Sequence, residues 1–396
     1  MASEFRRRTL LTWSVFGAGL YGANRLFRGE ADVAADALKA GRRWHAHPID
    51  AFAVSPDGKM IATGSRPGSD SLSDEKEGVV CWRVSDGLPR WKAKIPGGVD
   101  RLDSPFNALT FSPDGGLIGA LGRQHQVYSI EVSGSRRVGS QFLSINEQAQ
   151  RFFYSQDGAQ LYLQSTQEPG RLGVVQPARG DLSIASRPIS FDDREAIPFR
   201  LDERGLHLIS GRQYLILPAE GAPITVAEVV PDHAFAVLTT PSRKHAAVLG
   251  PGGALALIDV DLGEPQLKTF PTIDSVALAP SGAALGFDHQ YPAWQAYGPQ
   301  GAPLVAGTDG TEQSIAGALP LALSPDGNRA VSIDAGEVSL WEISPQRKQA
   351  SLGRFEHATS VAFPSENRVV AFGPRVLVFI NVAAKEPIKQ YRFPEY

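Results

Sequence analysis

Ser55-Pro56-Asp57-Gly58 recurs as Ser112-Pro113-Asp114-Gly115 and as Ser324-Pro325-Asp326-Gly327, and a near copy, Ser155-Gln156-Asp157-Gly158, lies between them. Each quartet separates two short runs of alternating apolar residues. The chemistry is that of a tight bend. Pro presets the backbone at the second position, Asp bonds its own downstream backbone, and Gly supplies the positive φ that other residues resist. The repeated unit is therefore strand, turn, strand. Weaker bends of the same kind are Asp202-Glu203-Arg204-Gly205, Pro241-Ser242, Pro280-Ser281-Gly282 and Ser365-Glu366-Asn367.

Most of these bends lie about 40 to 45 residues apart, the length of a four-stranded propeller blade. A third run follows each pair, such as Val79-Val80-Cys81-Trp82-Arg83-Val84, and then a weak fourth, such as Arg90-Trp91-Lys92-Ala93 or Leu267-Lys268-Thr269-Phe270. One such sheet cannot bury both its faces, whereas a ring of sheets can. The expected fold is all-β: a single β-propeller of four-stranded blades over residues 45–396. Eight blades is the favoured count and seven the alternative, because the fourth and fifth units are poor. Either the strand near Arg43-Trp44 or the tail Ile388-Lys389-Gln390-Tyr391-Arg392-Phe393 could complete the last blade.

Composition agrees with a folded soluble body. Of 396 residues, 42% are hydrophobic and 20% charged, and the 40 Gly and 29 Pro point to many turns. The formal net charge is −3, with no basic stripe outside the N-terminus, so nothing suggests nucleic-acid binding. Cys81 is the single cysteine, which rules out an intramolecular disulfide; between Val80 and Trp82 it reads as a small buried hydrophobe.

Residues 1–30 stand apart. Arg6-Arg7-Arg8 opens an apolar stretch through Trp13, Val15, Phe16, Leu20 and Tyr21 that is short for a membrane span. It predicts a short apolar helix acting as an export signal or membrane anchor, with residues 31–44 as linker. Arg7-Arg8-Thr9-Leu10-Leu11 resembles a bacterial twin-arginine signal, which implies a periplasmic or inner-membrane-anchored protein. The alternative is an amphipathic helix on a cytoplasmic protein. Small residues at Val33-Ala34-Ala35 and Ala35-Asp36-Ala37 lie well beyond the apolar run, so cleaved signal and uncleaved anchor both stay open.

The repeats resemble those of the bacterial WD-repeat β-propellers in divergent form. In the seventh unit Asp334 precedes Val338-Ser339-Leu340-Trp341-Glu342, with Trp341 at the tryptophan position and Glu342 in place of Asp. In the first, Trp82 takes that position and Arg83 follows. His47 and His357 stand where the family has its histidine. No unit carries the full set of turn Asp, His, Ser/Thr and Trp. A competing cue, Asp86-Gly87-Leu88-Pro89-Arg90-Trp91, resembles the Gly-x-x-x-Trp signature of quinoprotein-type and outer-membrane assembly propellers. The WD resemblance implies a noncatalytic, monomeric scaffold that docks a protein partner, needs no cofactor, avoids nucleic acid and meets the membrane only through its N-terminus. The alternative is a propeller enzyme, a lactonase or quinoprotein-like oxidoreductase, with its site in the central channel. Such an enzyme gathers charged residues where strands start, and those positions here are small or apolar: Ala51, Ala108, Val276, Leu321 and Val361.

The search for chemistry gives few candidates. There is no zinc-type cysteine pair, His-Glu-x-x-His, phosphate-binding Gly-Lys loop or Gly-x-Ser-x-Gly elbow. His45 and His47, two apart on one strand face, either share a metal or pack at the strand start. The polar insertion 66–78 and the neighbouring loop 98–103 together gather Asp70, Asp74, Glu75, Glu77, Asp100 and Asp103. They form a docking patch for a basic partner, a weak calcium site or a solvated loop. By blade geometry this patch lies on the face opposite the Ser-Pro-Asp-Gly bends. Tyr291, in Asp288-His289-Gln290-Tyr291-Pro292 with Trp294 and Tyr297 nearby, is a second partner-binding candidate; Trp294 itself is expected to fill space between blades.

Overall fold

The computed structural model describes residues 44–45, 47–65, 78–95, 109–122, 126–134, 137–142, 149–165, 171–175, 189–190, 196–230, 233–234, 236–240, 242–251, 254–262, 264–269, 275–288, 293–298, 321–343 and 347–393. Within them the chain makes eight antiparallel sheets in succession, seven of four strands and one, the sixth, of three. Sheet one sets the pattern with Ile49–Val54, Met60–Ser65, Gly78–Arg83 and Pro89–Lys94 in spatial as in chain order. The first strands of the other seven are Leu109–Phe111, Ala149–Tyr154, Ile197–Asp202, Ala236–Thr239, Ser275–Leu278, Leu321–Leu323 and Ser360–Ser365. The N-terminal helix expected over residues 1–30 and the linker 31–44, Trp44 excepted, lie outside the described residues.

The bends form as their sequence dictates. The Gly58 N–H donates to Ser55 O at 2.9 Å, and the Ser55 hydroxyl donates to Asp57 at 2.7 Å while accepting the Met60 N–H at 2.9 Å. Asp57 in turn accepts the Lys59 N–H. The same circuit closes at Ser112–Leu117, Ser155–Gln160 and Ser324–Arg329. Gly58, Gly115, Gly158 and Gly327 all have φ between +67° and +78°. At Asp157 the Ser155 hydroxyl, then the Ala159 N–H, hold the carboxyl below its ordinary range.

Alternation along each strand decides which neighbouring sheet a side chain meets. In sheet one Phe52, Ile61, Val80 and Trp82 face sheet eight, where they pack with Val370, Leu377 and Phe379. Ala51, Ala62, Val79 and Cys81 face sheet two and meet Ile118, Tyr128 and Ile130. Both faces are buried, which is why these strands read as continuous apolar runs. Further cores lie between sheets three and four, four and five, five and six, six and seven, and seven and eight. Sheets two and three are joined by a bond between the Ser129 and Tyr154 hydroxyls at 2.8 Å.

The circuit closes between sheets eight and one. Phe52 stacks on Phe372 with ring centroids 3.8 Å apart, the Ile49 N–H donates to Pro374 O, and the Tyr391 hydroxyl donates to Gly87 O. Of the two candidates for the outermost strand of the last sheet, the tail takes the place: Glu386–Arg392 pairs with Val376–Asn381 inside one continuous sheet. The outermost strands carry the exposed polar residues, as edges do that must not pair with other chains.

Candidate functional site

Every residue proposed for partner docking or export lies outside the described residues: Asp70, Asp74, Glu75, Glu77, Asp100, Asp103, Tyr291, Arg7, Arg8, Leu10 and Leu11. The strand register does fix where the two acidic segments depart. Ser65 pairs with Ile49, and Gly78 with Lys94, at the end of sheet one opposite the Ser55–Gly58 bend. Tyr297 is buried and packs between sheets five and six. Cys81 is buried, and burial pushes its thiol up to about 12, so it stays protonated and inert.

The histidine pair divides. His45 is 0% exposed; its two ring nitrogens meet the hydroxyls of Ser65 and Thr63, each at 2.8 Å, and Thr63 also accepts the Trp82 indole N–H at 2.6 Å. The family's histidine position, expected at His47, is therefore taken in the first sheet by His45, which joins Thr63 and Trp82. Both histidines lie just before the first strand, so sequence spacing alone did not separate them. His357 is exposed, with φ +68°, in the turn before sheet eight, and does not take the expected position. In sheet seven the Trp341 indole donates to Ser332 at 2.8 Å. Among the described residues no three His, Cys, Asp or Glu side chains are grouped to hold a metal ion.

Sheet four carries a charged circuit instead. Asp202 accepts from Arg200 at 3.0 Å, Arg204 at 3.2 Å and His207 Nε2 at 2.9 Å, and Arg200 also pairs with Asp261 of sheet five at 2.7 Å. Burial pulls the His207 imidazole below its ordinary value despite Asp202. A neutral ring that donates from Nε2 must accept at Nδ1, here from the Tyr214 hydroxyl. Burial pushes the Asp202 carboxyl up, but the bonds from His207 and Arg204 outweigh it and hold the group below the usual range. Burial also raises Tyr214 to about 12. At neutral pH the cluster is an ionic bracket with no proton poised to move, though the buried Arg200 Nε has no hydrogen-bond partner among the described residues. A cleft of about 770 Å³ lies over it, lined by Gln156, Asp157, Arg200, Glu203, Arg204 and Asp261 among others.

The first strands of all eight sheets line a cavity of about 610 Å³ at the end where the bends lie. Its wall is mostly apolar, with Phe111, Phe153, Phe199, Val237, Leu323 and Phe363 among the residues that form it, and Ser55, Thr110, Thr239 and Thr240 add hydroxyls. Arg243 supplies the charge among the described lining residues. It sits in the Thr240–Arg243 bend of sheet five, its N–H donating to Thr240 O at 2.8 Å as Gly58 does to Ser55. Its φ is +56°, so arginine holds the place of the turn glycine. No sequence signal singled it out, because the bend Thr240-Pro241-Ser242-Arg243 reads as a degraded copy of Ser-Pro-Asp-Gly.

No family model matches the chain, and no curated protein matches it in sequence. Among solved structures it is similar to the WD40 domain of SCAP from fission yeast, with 12% identity, 86% of this chain and 93% of that one covered, and a TM-score of 0.58. It is also similar to the β-propeller domain of Cps50 (Swd1) from Myceliophteria thermophila, with 12% identity, coverage of 83% and 93%, and a TM-score of 0.45. The likeness to the SCAP domain, together with the succession of eight antiparallel sheets, shows the β-propeller fold.

Proposed function

We propose that this propeller is an eight-bladed, noncatalytic scaffold that docks a protein partner. The observation that carries the reading is the channel wall. Where a propeller enzyme gathers acids, bases or metal ligands from several blades, these first strands present Phe, Val, Leu and Ala. The polar groups of the first sheet and of the bends are engaged in holding the fold. That arrangement favours rigid display of loops over lactonase or oxidoreductase chemistry.

The docking surface we propose is the end of the ring from which residues 66–77 and 96–108 leave. There Asp70, Asp74, Glu75, Glu77, Asp100 and Asp103 would meet a basic partner, with Tyr291 as an aromatic anchor. Residues 1–30, through Arg7, Arg8, Leu10 and Leu11, would export or tether a monomeric propeller to the outer side of a bacterial inner membrane. Crosslinking followed by affinity capture from membrane and soluble fractions, with and without residues 1–30, tests both parts. One stoichiometric protein lost on charge reversal of the six acids is the expected result. Lactone turnover, or a quinone co-purifying with the protein, would overturn the scaffold reading.

A further inference from the structure

The bend of sheet five departs from the pattern that the bends of sheets one, two, three, six and seven share. Gly58, Gly115, Gly158, Gly282 and Gly327 take positive φ where glycine is free to do so. Arg243 takes it with a side chain, which is a strained conformation for an L-residue. Ala335, His357 and Lys385 take a positive φ as well, but of the four only Arg243 lines the cavity, and backbone strain clusters at functional sites.

The glycines also show where a side chain at this position must go. A Cβ on Gly58 would meet Pro364 of sheet eight, one on Gly282 would meet His245 of sheet five, and one on Gly327 would meet Ala283 of sheet six. At each bend the direction is towards the preceding sheet. The Arg243 side chain follows it: one Nη donates to Phe199 O of sheet four at 2.9 Å, and the guanidinium lies over the Phe153 ring of sheet three, 4.7 Å from its centroid. It is thereby held against the cavity wall, 9% exposed.

Its charge has no counter-ion among the described residues. Among the described residues no carboxylate pairs with Arg243, and the nearest charge of note is another cation, Arg200, which is itself neutralised by Asp202 and Asp261. Burial, with Arg200 adding to it, pulls the Arg243 guanidinium down to about 9, which still leaves it charged at neutral pH. A guanidinium has five donors in a planar fork, and the described residues engage one of them here. A buried, uncompensated cation in an apolar pocket fits an anion that is itself attached to an apolar body.

We propose that the bend end of the channel binds a small carboxylic acid with an apolar tail, its carboxylate taken by Arg243 and its tail by the first-strand wall. A monoanion matches one bidentate fork, and a phosphate dianion would leave charge uncompensated among Phe153, Phe199 and Phe363. The volume is that of a small-molecule site. Because the cavity opens among the bends, it lies at the other end of the ring from the strand ends at which residues 66–77 and 96–108 leave, and it does not depend on what docks there.

Isothermal titration of the full-length chain with octanoate, butanoate, octan-1-ol and inorganic phosphate tests the site. Octanoate is expected to bind at least tenfold more tightly than butanoate or octan-1-ol, and phosphate not to bind. Arg243→Gly restores the residue the bend prefers, so it should fold, as judged by circular dichroism, and weaken octanoate at least tenfold. Arg243→Lys keeps the charge without the fork and should fall between. The proposal is overturned if octanoate does not bind, if octan-1-ol binds equally well, or if Arg243→Gly leaves octanoate affinity unchanged. It is also overturned if a capped Phe-Glu-Phe peptide binds through Arg243 while octanoate does not, which would make the ligand a protein side chain.

Discussion

Sheets one and four each bury a histidine beside a first strand, and they satisfy it in opposite ways. His45 is held by two hydroxyls, one of them shared with Trp82, and its bend closes on glycine. His207 is held by a carboxylate and a phenol within a bracket of two arginines and two aspartates, and the next bend closes on arginine. The first solution is neutral, local and legible; the second is ionic and spans two sheets. A propeller needs only that each sheet bury its faces and satisfy its polar groups. Divergence between units can therefore exchange one solution for the other without changing the fold.

The largest effect is expected at the glycine bend. A Cβ on Gly58 would come within 1.8 Å of Pro364 O, a backbone atom that cannot swing aside, and φ is +67°. Gly58→Ala should cost about 4 kcal/mol, most of it from forcing sheets one and eight apart. Gly115→Ala shares the positive φ, but its nearest foreign atom, Pro56 Cδ, lies 3.8 Å away, so about 1 kcal/mol is expected. Denaturant midpoints of the two variants measure the difference. Equal losses would mean that the contact between sheets eight and one is not as described.

Removing a partner sharpens the contrast between the two histidines. Thr63→Val leaves the Trp82 indole and one His45 nitrogen unpaired in a dry core, at about 2–3 kcal/mol. Asp202→Ala strips four donors of their acceptor, the Arg200, Arg204 and His207 side chains and the Arg204 N–H, but Arg200 keeps Asp261 and Arg204 reaches Val260 O at 2.8 Å. About 2 kcal/mol is expected, and salt should reduce the second loss more than the first.

The pH dependence follows from the same pair. Burial, aided by the Lys92 charge, holds His45 well below its ordinary 6.5, and burial lowers His207 as well. In the unfolded chain both take up protons near pH 6.5, while in the folded state they do so only at lower pH. Their contribution to stability is therefore full above pH 6.5 and declines as pH falls through the window below it, by at most about 1.4 kcal/mol per pH unit for each. Replacing either histidine with Gln should remove its share of that slope. Asp202, whose carboxyl is depressed, adds a further loss only as pH falls below its ordinary 3.8. Asp202→Asn should flatten that lower limb and spare the upper one.

How far the sequence could be read tracks this division. The Ser-Pro-Asp-Gly bends announced the hairpins because each residue does a separate local job within four positions. The strands were legible because both faces are buried and the runs are continuous. The His45 circuit was legible in kind and misplaced in position: His45 and His47 both lie just before the first strand, and His45 is singled out by its bonds to Ser65 and Thr63 and its packing against Phe393, with ring centroids 5.6 Å apart. Arg200, Asp202, His207, Tyr214, Arg243 and Asp261 gave no pattern, because they meet across sheets four and five from stretches up to about sixty residues apart. The weakness of the fourth and fifth units as repeats was itself the trace of that substitution.

The smallest expected effect isolates the strain at Arg243. Arg243→Ala and Arg243→Gly both delete the guanidinium, the contact over Phe153 and the bond to Phe199 O, so those losses cancel between them. What remains is the cost of holding a Cβ at φ +56°. The glycine variant should be the more stable by about 1 kcal/mol, measured as the difference between two denaturant midpoints at equal slope. In most strand or helix interiors the order would be reversed, since glycine there gives up more backbone freedom than alanine. If alanine proves equal or better, the bend of sheet five has relaxed away from the glycine geometry, and Arg243 is then an ordinary turn residue rather than one held under strain.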